Sequence, residues 1–188
     1  MNPDPRDEEL LRRFLAGDQA AFAELMGRHE DKIFSLAFRM TGDRADALDA
    51  TQDAFIAAFK KARAFRGESA FSTWLYRIAV NACNDLLRKK KRYVLVEDPA
   101  GEHLAASGTD VATSASARID VQRALASLQP DYREAVALHD LGGLRYEEIA
   151  SVTGAQLGTV KSRISRGRKQ LAELLEQRDD LAPSKEVT

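Results

Sequence analysis

Apolar residues recur along most of the chain at spacings of three and four, which is the pattern of helices that bury one face. The stripe formed by Phe71, Leu75, Ile78, Ala82 and Leu86 is one example. The alternation of apolar and polar residues that indicates a strand is confined to 93–96 and is too short to matter. The pattern therefore predicts an all-α fold.

Residues with capping and helix-breaking preferences divide the first half into four helices. Asp18 and Asp43 stand where an aspartate can cap a following helix, and Gly42 stands where the second helix should end. A polar break at 66–69 precedes the fourth helix, which we expect at about 71–91. The stripes of the first three helices are Leu10, Leu11, Phe14 and Leu15; Phe22, Leu25, Ile33, Leu36 and Phe38; and Ala47, Ala50, Ala54, Phe55, Ala58 and Phe59.

Composition predicts two domains. Residues 93–117 contain four acidic and no basic side chains and are rich in Ala, Ser, Thr and Gly, which is typical of a flexible acidic linker. We expect a first small helical domain at 1–92, a second at 118–176 and a disordered tail at 177–188. The second domain contains a helix-turn-helix.

The helix-turn-helix occupies 146–168. A short amphipathic helix containing Ile149 and Ala150 meets a turn at Gly154, and a second, basic helix follows. Val160 and Ile164 share the apolar face of that second helix, with Leu171 and with Gly167 for close packing. The pattern predicts a helix that lies in the major groove of duplex DNA.

The polar face of that helix contains the candidate DNA contacts. Arg can bridge the two major-groove acceptors of guanine, and Thr or Ser can meet a base edge or a thymine methyl group. Lys and Arg beside this face suit phosphate oxygens, which position the protein without specifying a sequence. The candidate base readers are Thr159, Ser162, Arg163 and Arg166, and the candidate phosphate contacts are Lys161, Arg168 and Lys169.

Charge is segregated along a chain whose formal net charge is -1. Residues 61–92 hold nine basic and two acidic side chains, a net of +7, and residues 155–174 hold five and one, a net of +4. Two positive regions in an otherwise acidic chain predict two separate contacts with a polyanion. The acidic remainder can limit indiscriminate DNA binding or serve a basic protein partner.

Several function classes lack their residue patterns. Cys83 is the only cysteine, so an intramolecular disulfide and a multi-cysteine zinc site are excluded. We expect it to be a small buried residue, with a redox sensor as the alternative. No nucleophile–base arrangement, phosphate-binding glycine loop or metal cluster suggests an enzyme, a cofactor or a small-molecule substrate. The charged N-terminus and the lack of a long apolar run predict a cytoplasmic protein without membrane insertion.

Three blocks resemble one known family. They are 46–55 (DALDATQDAF), 65–79 (FRGESAFSTWLYRIA) and the helix-turn-helix at 146–168, and the likeness extends over most of 9–175. The chain resembles the extracytoplasmic-function sigma factors, the minimal two-domain branch of the sigma-70 family. The second block is highly specific for that family.

The resemblance implies a role for each block. The first resembles the helix that binds the clamp of core RNA polymerase, with Asp46, Asp49, Gln52, Asp53 and Phe55. The second and the basic run after it resemble the segment that captures unstacked bases of the minus-10 element and lies along its phosphates. That segment comprises Arg66, Gly67, Ser69, Ala70, Phe71, Ser72, Trp74, Arg77, Arg88, Lys89, Lys90, Lys91 and Arg92. The third resembles the minus-35 reader, with Gln156, Thr159, Lys161, Ser162, Arg163, Arg166 and Arg168.

Three positions depart from the family pattern. Leu48 stands where an acidic residue is usual, Arg145 replaces the usual Ser or Thr cap and predicts a looser helix start, and Gln156 stands where Pro often begins the reading helix. The sequence predicts a non-enzymatic transcription initiation factor that binds core polymerase and promoter DNA. The resemblance also implies control by an anti-sigma factor. Two alternatives are a stand-alone helix-turn-helix regulator that binds DNA through 146–170, and an RNA-binding helical adaptor.

Overall fold

The computed structural model describes residues 4–97 and 114–179, and all regular secondary structure within these ranges is helical. The predicted all-α fold is therefore confirmed for this part of the chain. The helices are α1 (Pro5–Leu15), α2 (Gln19–Thr41), α3 (Arg44–Lys61), α4 (Phe71–Glu97), α5 (Ser114–Ser127), α6 (Pro130–Val136), α7 (Tyr146–Thr153) and α8 (Leu157–Asp179). A 3₁₀ turn at Ala62–Ala64 follows α3, and a π-helical turn at Ala137–Leu141 extends α6.

The predicted caps form. The Asp18 side chain accepts a hydrogen bond from the backbone N–H of Ala21 at 3.2 Å, and the Asp43 side chain accepts one from Asp46 at 2.9 Å. Each bond satisfies an amide that has no partner within its own helix. Gly42 ends α2 with a φ of 80°, a conformation that glycine adopts without the steric cost of a side chain.

Two helices extend into the segment predicted as a linker. α4 continues to Glu97, and α5 begins at Ser114. The chain has no glycine or proline between Phe71 and Pro99, so nothing in the sequence stops α4 before the residue that precedes that proline. Residues 98–113 and 180–188, which hold most of the predicted linker and tail, lie outside the described residues.

The first half is a bundle in which α3 packs between α2 and α4, and α1 packs on α2. Small residues on α3, among them Ala47, Ala50, Ala54 and Ala58, are fully buried and allow the three helices to approach closely. Larger side chains from α2 and α4 fill the space beside them. This packing fixes the start of α4, where the predicted minus-10 segment begins.

The second half packs α6 and α7 against α8. Gly167 lies where α8 crosses α6, and a Cβ atom added to it would stand 2.7 Å from Cγ2 of Val136. The sequence prediction that this glycine serves close packing is confirmed. Val160 and Ile164 are buried on the same side of α8.

The two halves share a single buried cluster. Leu138, Ile149 and Ile164 of the second half belong to the same apolar core as Leu25 and Leu75 of the first. Hydrogen bonds reinforce the junction at the C-terminal end of α2. Gln122 Nε2 donates to the Phe38 carbonyl oxygen at 2.8 Å, and Arg133 Nη1 donates to that of Met40 at 2.8 Å. Arg133 thereby satisfies a carbonyl group in the last turn of α2, and the Phe38 carbonyl oxygen accepts a second hydrogen bond, from the backbone N–H of Gly42 at 2.9 Å.

Candidate nucleic-acid interface

A cavity of about 500 Å³ opens beside the start of α4. Gly67, with a φ of 72°, turns the chain that leads into the helix. The cavity has two aromatic walls, Phe65 and Trp74, whose ring centroids lie 5.2 Å apart. The other lining residues are Ala64, Arg66, Glu68, Ser69, Arg77 and Ser151. Aromatic faces beside guanidinium groups suit an unpaired nucleotide, because its base can stack while its phosphate meets positive charge.

The predicted minus-10 residues divide between the wall of this cavity and the core behind it. Arg66, Ser69, Trp74 and Arg77 line the cavity, and their contact with minus-10 DNA stays a prediction. Ala70, Phe71 and Ser72 are buried behind the lining. The Phe71 ring supports both aromatic walls, at centroid distances of 5.8 Å from Phe65 and 5.4 Å from Trp74.

Sequence reasoning missed four residues of the lining, Ala64, Phe65, Glu68 and Ser151. For Phe65 the sequence contains a usable signal. Aromatic residues flank the polar turn at 66–69 on both sides, so the turn can bring them together. Glu68 is exposed at the mouth of the cavity, and its carboxylate can accept hydrogen bonds from a base edge.

The basic end of α4 is exposed along its length. Arg88, Lys89, Lys91 and Arg92 surround a shallow depression of about 420 Å³ together with Asp85, which is paired with Arg88. Lys90 points the other way, and its Nζ lies 2.5 Å from Oδ2 of Asp46 on α3. Four cations of the run therefore remain at a surface that suits phosphate oxygens, and the fifth is paired with a carboxylate of α3.

The predicted polymerase-binding stripe is divided in the same way. Asp49, Gln52 and Asp53 are exposed on α3, but Asp46 is buried. Phe55 is half-buried and lines an apolar groove of about 810 Å³ between α2 and α3. The same groove is lined by three exposed apolar residues that were not predicted to bind polymerase: Leu48, Ile56 and Phe59.

The polar face of α8 is largely open. Gln156, Thr159, Lys161 and Arg166 are exposed, and the Ser162 hydroxyl donates to the Thr159 carbonyl oxygen at 2.9 Å. Two arginines form ion pairs with acidic residues of α6 and the π-helical turn that extends it. Arg163 pairs with Asp131, and Arg168 pairs with Asp140. Arg163 therefore lies against α6, so a contact with a base would require this ion pair to open.

The start of α7 is fastened despite its unusual cap. Arg145 supplies no side-chain cap, yet its backbone N–H donates to the Glu148 carboxylate at 2.9 Å. This bond is half of a capping box and holds the first turn of the helix. The looser start that we expected from Arg145 is therefore wrong.

Helix α7 lies directly on α4 in this structure. Arg77 Nη2 donates to the Ser151 hydroxyl at 2.5 Å, and the Thr73 hydroxyl donates to Glu148 at 3.2 Å. Arg77 Nε is buried, and no hydrogen-bond partner for it lies within the described residues. Ser151 of the helix-turn-helix thus contributes to the lining of the cavity.

A second contact between the halves involves a partly buried carboxyl group. Asn84 Nδ2 lies 3.5 Å from Oε2 of Glu134, which faces α4 from α6. Burial raises the pKa of Glu134 above its ordinary value. Nearby on α4, burial also raises the pKa of the Cys83 thiol, to about 12, so the side chain behaves as a small apolar residue. The expected burial of Cys83 is confirmed.

No three or more His, Cys, Asp or Glu side chains within 4–97 and 114–179 are grouped so that they could hold a metal ion. In the same ranges, none of the helices has the length and apolar character needed to cross a membrane.

Two family models match the chain, Sigma-70 region 2 over residues 25–93 and Sigma-70 region 4 over residues 118–171. The chain is 39% identical over 173 residues to the ECF RNA polymerase sigma factor SigE of Mycolicibacterium smegmatis, with 85% of this chain and 64% of that protein covered. It is 37% identical over 182 residues to the ECF RNA polymerase sigma-E factor of Escherichia coli, with 91% and 95% covered.

A solved structure is also similar in its overall arrangement. It is that of the sigma factor RpoE of Bartonella quintana in complex with the anti-sigma factor NepR. The TM-score is 0.71 at 30% sequence identity, and the likeness covers 82% of this chain and 96% of the other.

Proposed function

The chain belongs to the extracytoplasmic-function branch of the sigma-70 family, and on that premise we propose that it directs core RNA polymerase to promoters and helps to open them. One observation carries the proposal beyond family membership. A cavity with aromatic and guanidinium walls on α4 and an exposed basic face on α8 occur in one chain. The first suits an unpaired base of the minus-10 element, and the second suits duplex DNA at the minus-35 element.

We assign polymerase binding to the outer surface of α3. Asp49, Gln52 and Asp53 supply acidic and hydrogen-bonding groups, and the groove beside Phe55 supplies apolar area. A basic amphipathic segment of the polymerase would be complementary to both parts of this surface. Asp46 takes no direct part in this contact, because it is buried against Lys90. The protein would act without catalytic chemistry of its own and in the cytoplasm, where polymerase works.

The conformation seen here is one that we infer to be disengaged from the promoter. The two elements are centred roughly 25 base pairs apart, which is about 85 Å along B-form DNA. Here α7 touches α4 through Arg77 and Ser151. A single molecule in this conformation therefore cannot occupy both elements, and promoter binding requires the two halves to separate.

Control by an anti-sigma factor fits this requirement. The B. quintana sigma factor that resembles this chain over both halves is one held by an anti-sigma factor. A partner that binds the closed conformation better than the open one would shift the population away from promoter binding. We propose regulation of this kind.

Transcription in a reconstituted system tests the function. Core polymerase with and without the chain would be supplied with a library of random duplex templates, and the start sites of the transcripts sequenced. We expect transcripts that depend on the chain and share two upstream elements. A matched control is the double variant Asp49→Arg with Asp53→Arg, which should give the pattern of core polymerase alone. If the wild-type chain selects no common element, the proposed function is wrong. Sequence-specific duplex binding without any effect on polymerase would instead support a stand-alone regulator.

A further inference from the structure

Helix α1 precedes the residues matched by the region 2 model, which begin at 25, yet it is built into the same core. Leu10 and Leu11 are buried with the apolar residues of α2 and α4. A polar contact accompanies this packing. The side chain of Asp7 is buried, although it lies on a helix at the edge of the bundle.

Asp7 joins α1 to two consecutive residues of α2. Its Oδ1 accepts from Arg28 Nε at 2.8 Å, and its Oδ2 lies 2.7 Å from His29 Nε2. Arg28 also reaches the N-cap residue of α1, with Nη2 2.7 Å from Oδ2 of Asp4. An ionised carboxylate only accepts hydrogen bonds, so His29 must carry its proton on Nε2. The bond therefore fixes both the tautomer and the orientation of the imidazole.

His29 in turn contacts the aromatic residues behind the base cavity. Its ring centroid lies 5.8 Å from that of Phe71, with the ring planes inclined at 51°. Phe71 is buried and supports Phe65 and Trp74, the two aromatic walls. A continuous series of contacts thus runs from Asp7 through His29 and Phe71 to the cavity.

We propose that Asp7 is a positioning residue for the minus-10 base pocket, and this inference rests on the function proposed above. By holding His29 in one orientation, Asp7 fixes the ring that backs Phe71, and Phe71 fixes the positions of the two aromatic walls. Phe65 and Trp74 contact each other, so a base would stack on the face that this pair presents to the cavity. Small displacements of groups around a site can lower its efficiency greatly. Helix α1 is then a functional part of the promoter-opening module.

Trp74 provides a direct readout, because it is the only tryptophan of the chain. The variants are Asp7→Ala and His29→Leu, and the matched control is Glu9→Ala. Glu9 lies on the same helix, and its exposed side chain pairs only with Arg12 among the described residues. In the free chain we expect a changed Trp74 emission maximum and stronger acrylamide quenching in both variants, with the control equal to wild type.

The functional arm uses holoenzyme and a promoter selected in the transcription experiment above. We expect the two variants to bind core polymerase within about twofold of wild type but to open the promoter roughly tenfold more slowly, as measured by permanganate reactivity of its thymines. If both variants are folded and match wild type in opening rate and Trp74 quenching, the inference is wrong.

Failure of the proposed function looks different, because the wild-type holoenzyme would then open no selected promoter. Circular dichroism shows whether each variant is folded. If Asp7→Ala does not fold, His29→Leu decides alone, since leucine keeps much of the buried apolar volume.

Discussion

Lys90 on α4 and Asp46 on α3 form an ion pair, with 2.5 Å between Nζ and Oδ2. The Asp46 side chain is 11% exposed and that of Lys90 57%. The pair takes one member from the predicted polymerase stripe and one from the predicted phosphate run. The ion pair therefore links two surfaces that the sequence treats as independent. In each surface one residue has a structural role, and the others remain exposed for contacts with a partner.

The first prediction follows from this separation. Asp49→Arg with Asp53→Arg should abolish binding to core polymerase without loss of helical content, because both side chains are exposed and the reversed charges would repel a basic partner. Asp46→Ala should instead lower the free energy of unfolding, by about 1 kcal/mol or less for a half-exposed ion pair, and leave polymerase affinity nearly unchanged. Urea unfolding and a polymerase pull-down distinguish the two. If the double variant binds core polymerase as well as wild type, the assignment of polymerase binding to α3 is wrong.

The second prediction concerns the cavity. Ser69→Leu should leave closed-complex formation intact and suppress strand separation, because the larger side chain fills the proposed base site. Permanganate reactivity of promoter thymines measures this, and Ser127→Leu on the exposed face of α5 is the control. Normal reactivity in Ser69→Leu would show that no base enters here. Ala70 is buried, so enlarging it should chiefly destabilise the core, by roughly 1–3 kcal/mol.

The third prediction concerns sequence reading by α8. Arg166→Ala should lose roughly 1–3 kcal/mol of discrimination at one minus-35 base pair, if its guanidinium binds guanine in the major groove. Lys161→Ala should weaken binding to all sequences alike and reduce the salt slope by about one, as expected for a lost phosphate contact. A library of minus-35 sequences measured at several salt concentrations distinguishes the two results. Equal weakening on every sequence by Arg166→Ala would make Arg166 a phosphate contact.

Arg163 offers a related test, because it is paired with Asp131 in the closed structure. If Arg163 reads a base, Arg163→Ala should alter discrimination at a single base pair. Asp131→Asn should then strengthen binding to the preferred sequence, because the guanidinium no longer has to leave an ion pair. An Arg163→Ala variant with wild-type discrimination would confine the reading face to the exposed residues of α8.

The fourth prediction uses the raised pKa of Glu134. A raised pKa means that the folded state favours the neutral carboxyl group. The free energy of unfolding therefore falls as the pH rises above 4.5, the ordinary pKa of a glutamate. Glu134→Gln should therefore raise Tm at pH 7 and have a diminishing effect as the pH falls toward 4. Thermal unfolding across this range measures it, with Glu147→Gln on the exposed side of α7 as control. A constant difference at all pH values would contradict the assignment.

The fifth prediction concerns Cys83. Because burial raises the pKa of its thiol to about 12, almost no thiolate exists at neutral pH. The native protein should not react with an aromatic disulfide reagent over minutes, and the protein in guanidinium chloride should react at once. Rapid reaction of the native chain would reopen a redox role for this residue.

The sequence by itself determined where most of the helices lie, the caps of α2 and α3 and the chemistry of the surfaces. Asp18, Asp43 and Gly42 act within a few residues of their own positions, so their effects follow from local backbone geometry. The apolar stripe of α8 was equally predictable, because helical periodicity alone places Val160 and Ile164 on one face. The segments that we propose to contact DNA and polymerase were likewise singled out from consecutive residues.

Only the tertiary structure decided which members of those segments are available. Asp46 and Lys90 are 44 residues apart in the chain, and Arg163 and Asp131 are 32 apart, so no local pattern announces either pair. The contact of α7 with α4 depends on how two apolar faces from opposite halves pack into one core. The contacts from Asp7 to Trp74 likewise cross three helices. Such relationships depend on packing between distant segments, whereas periodicity and propensity describe each helix by itself.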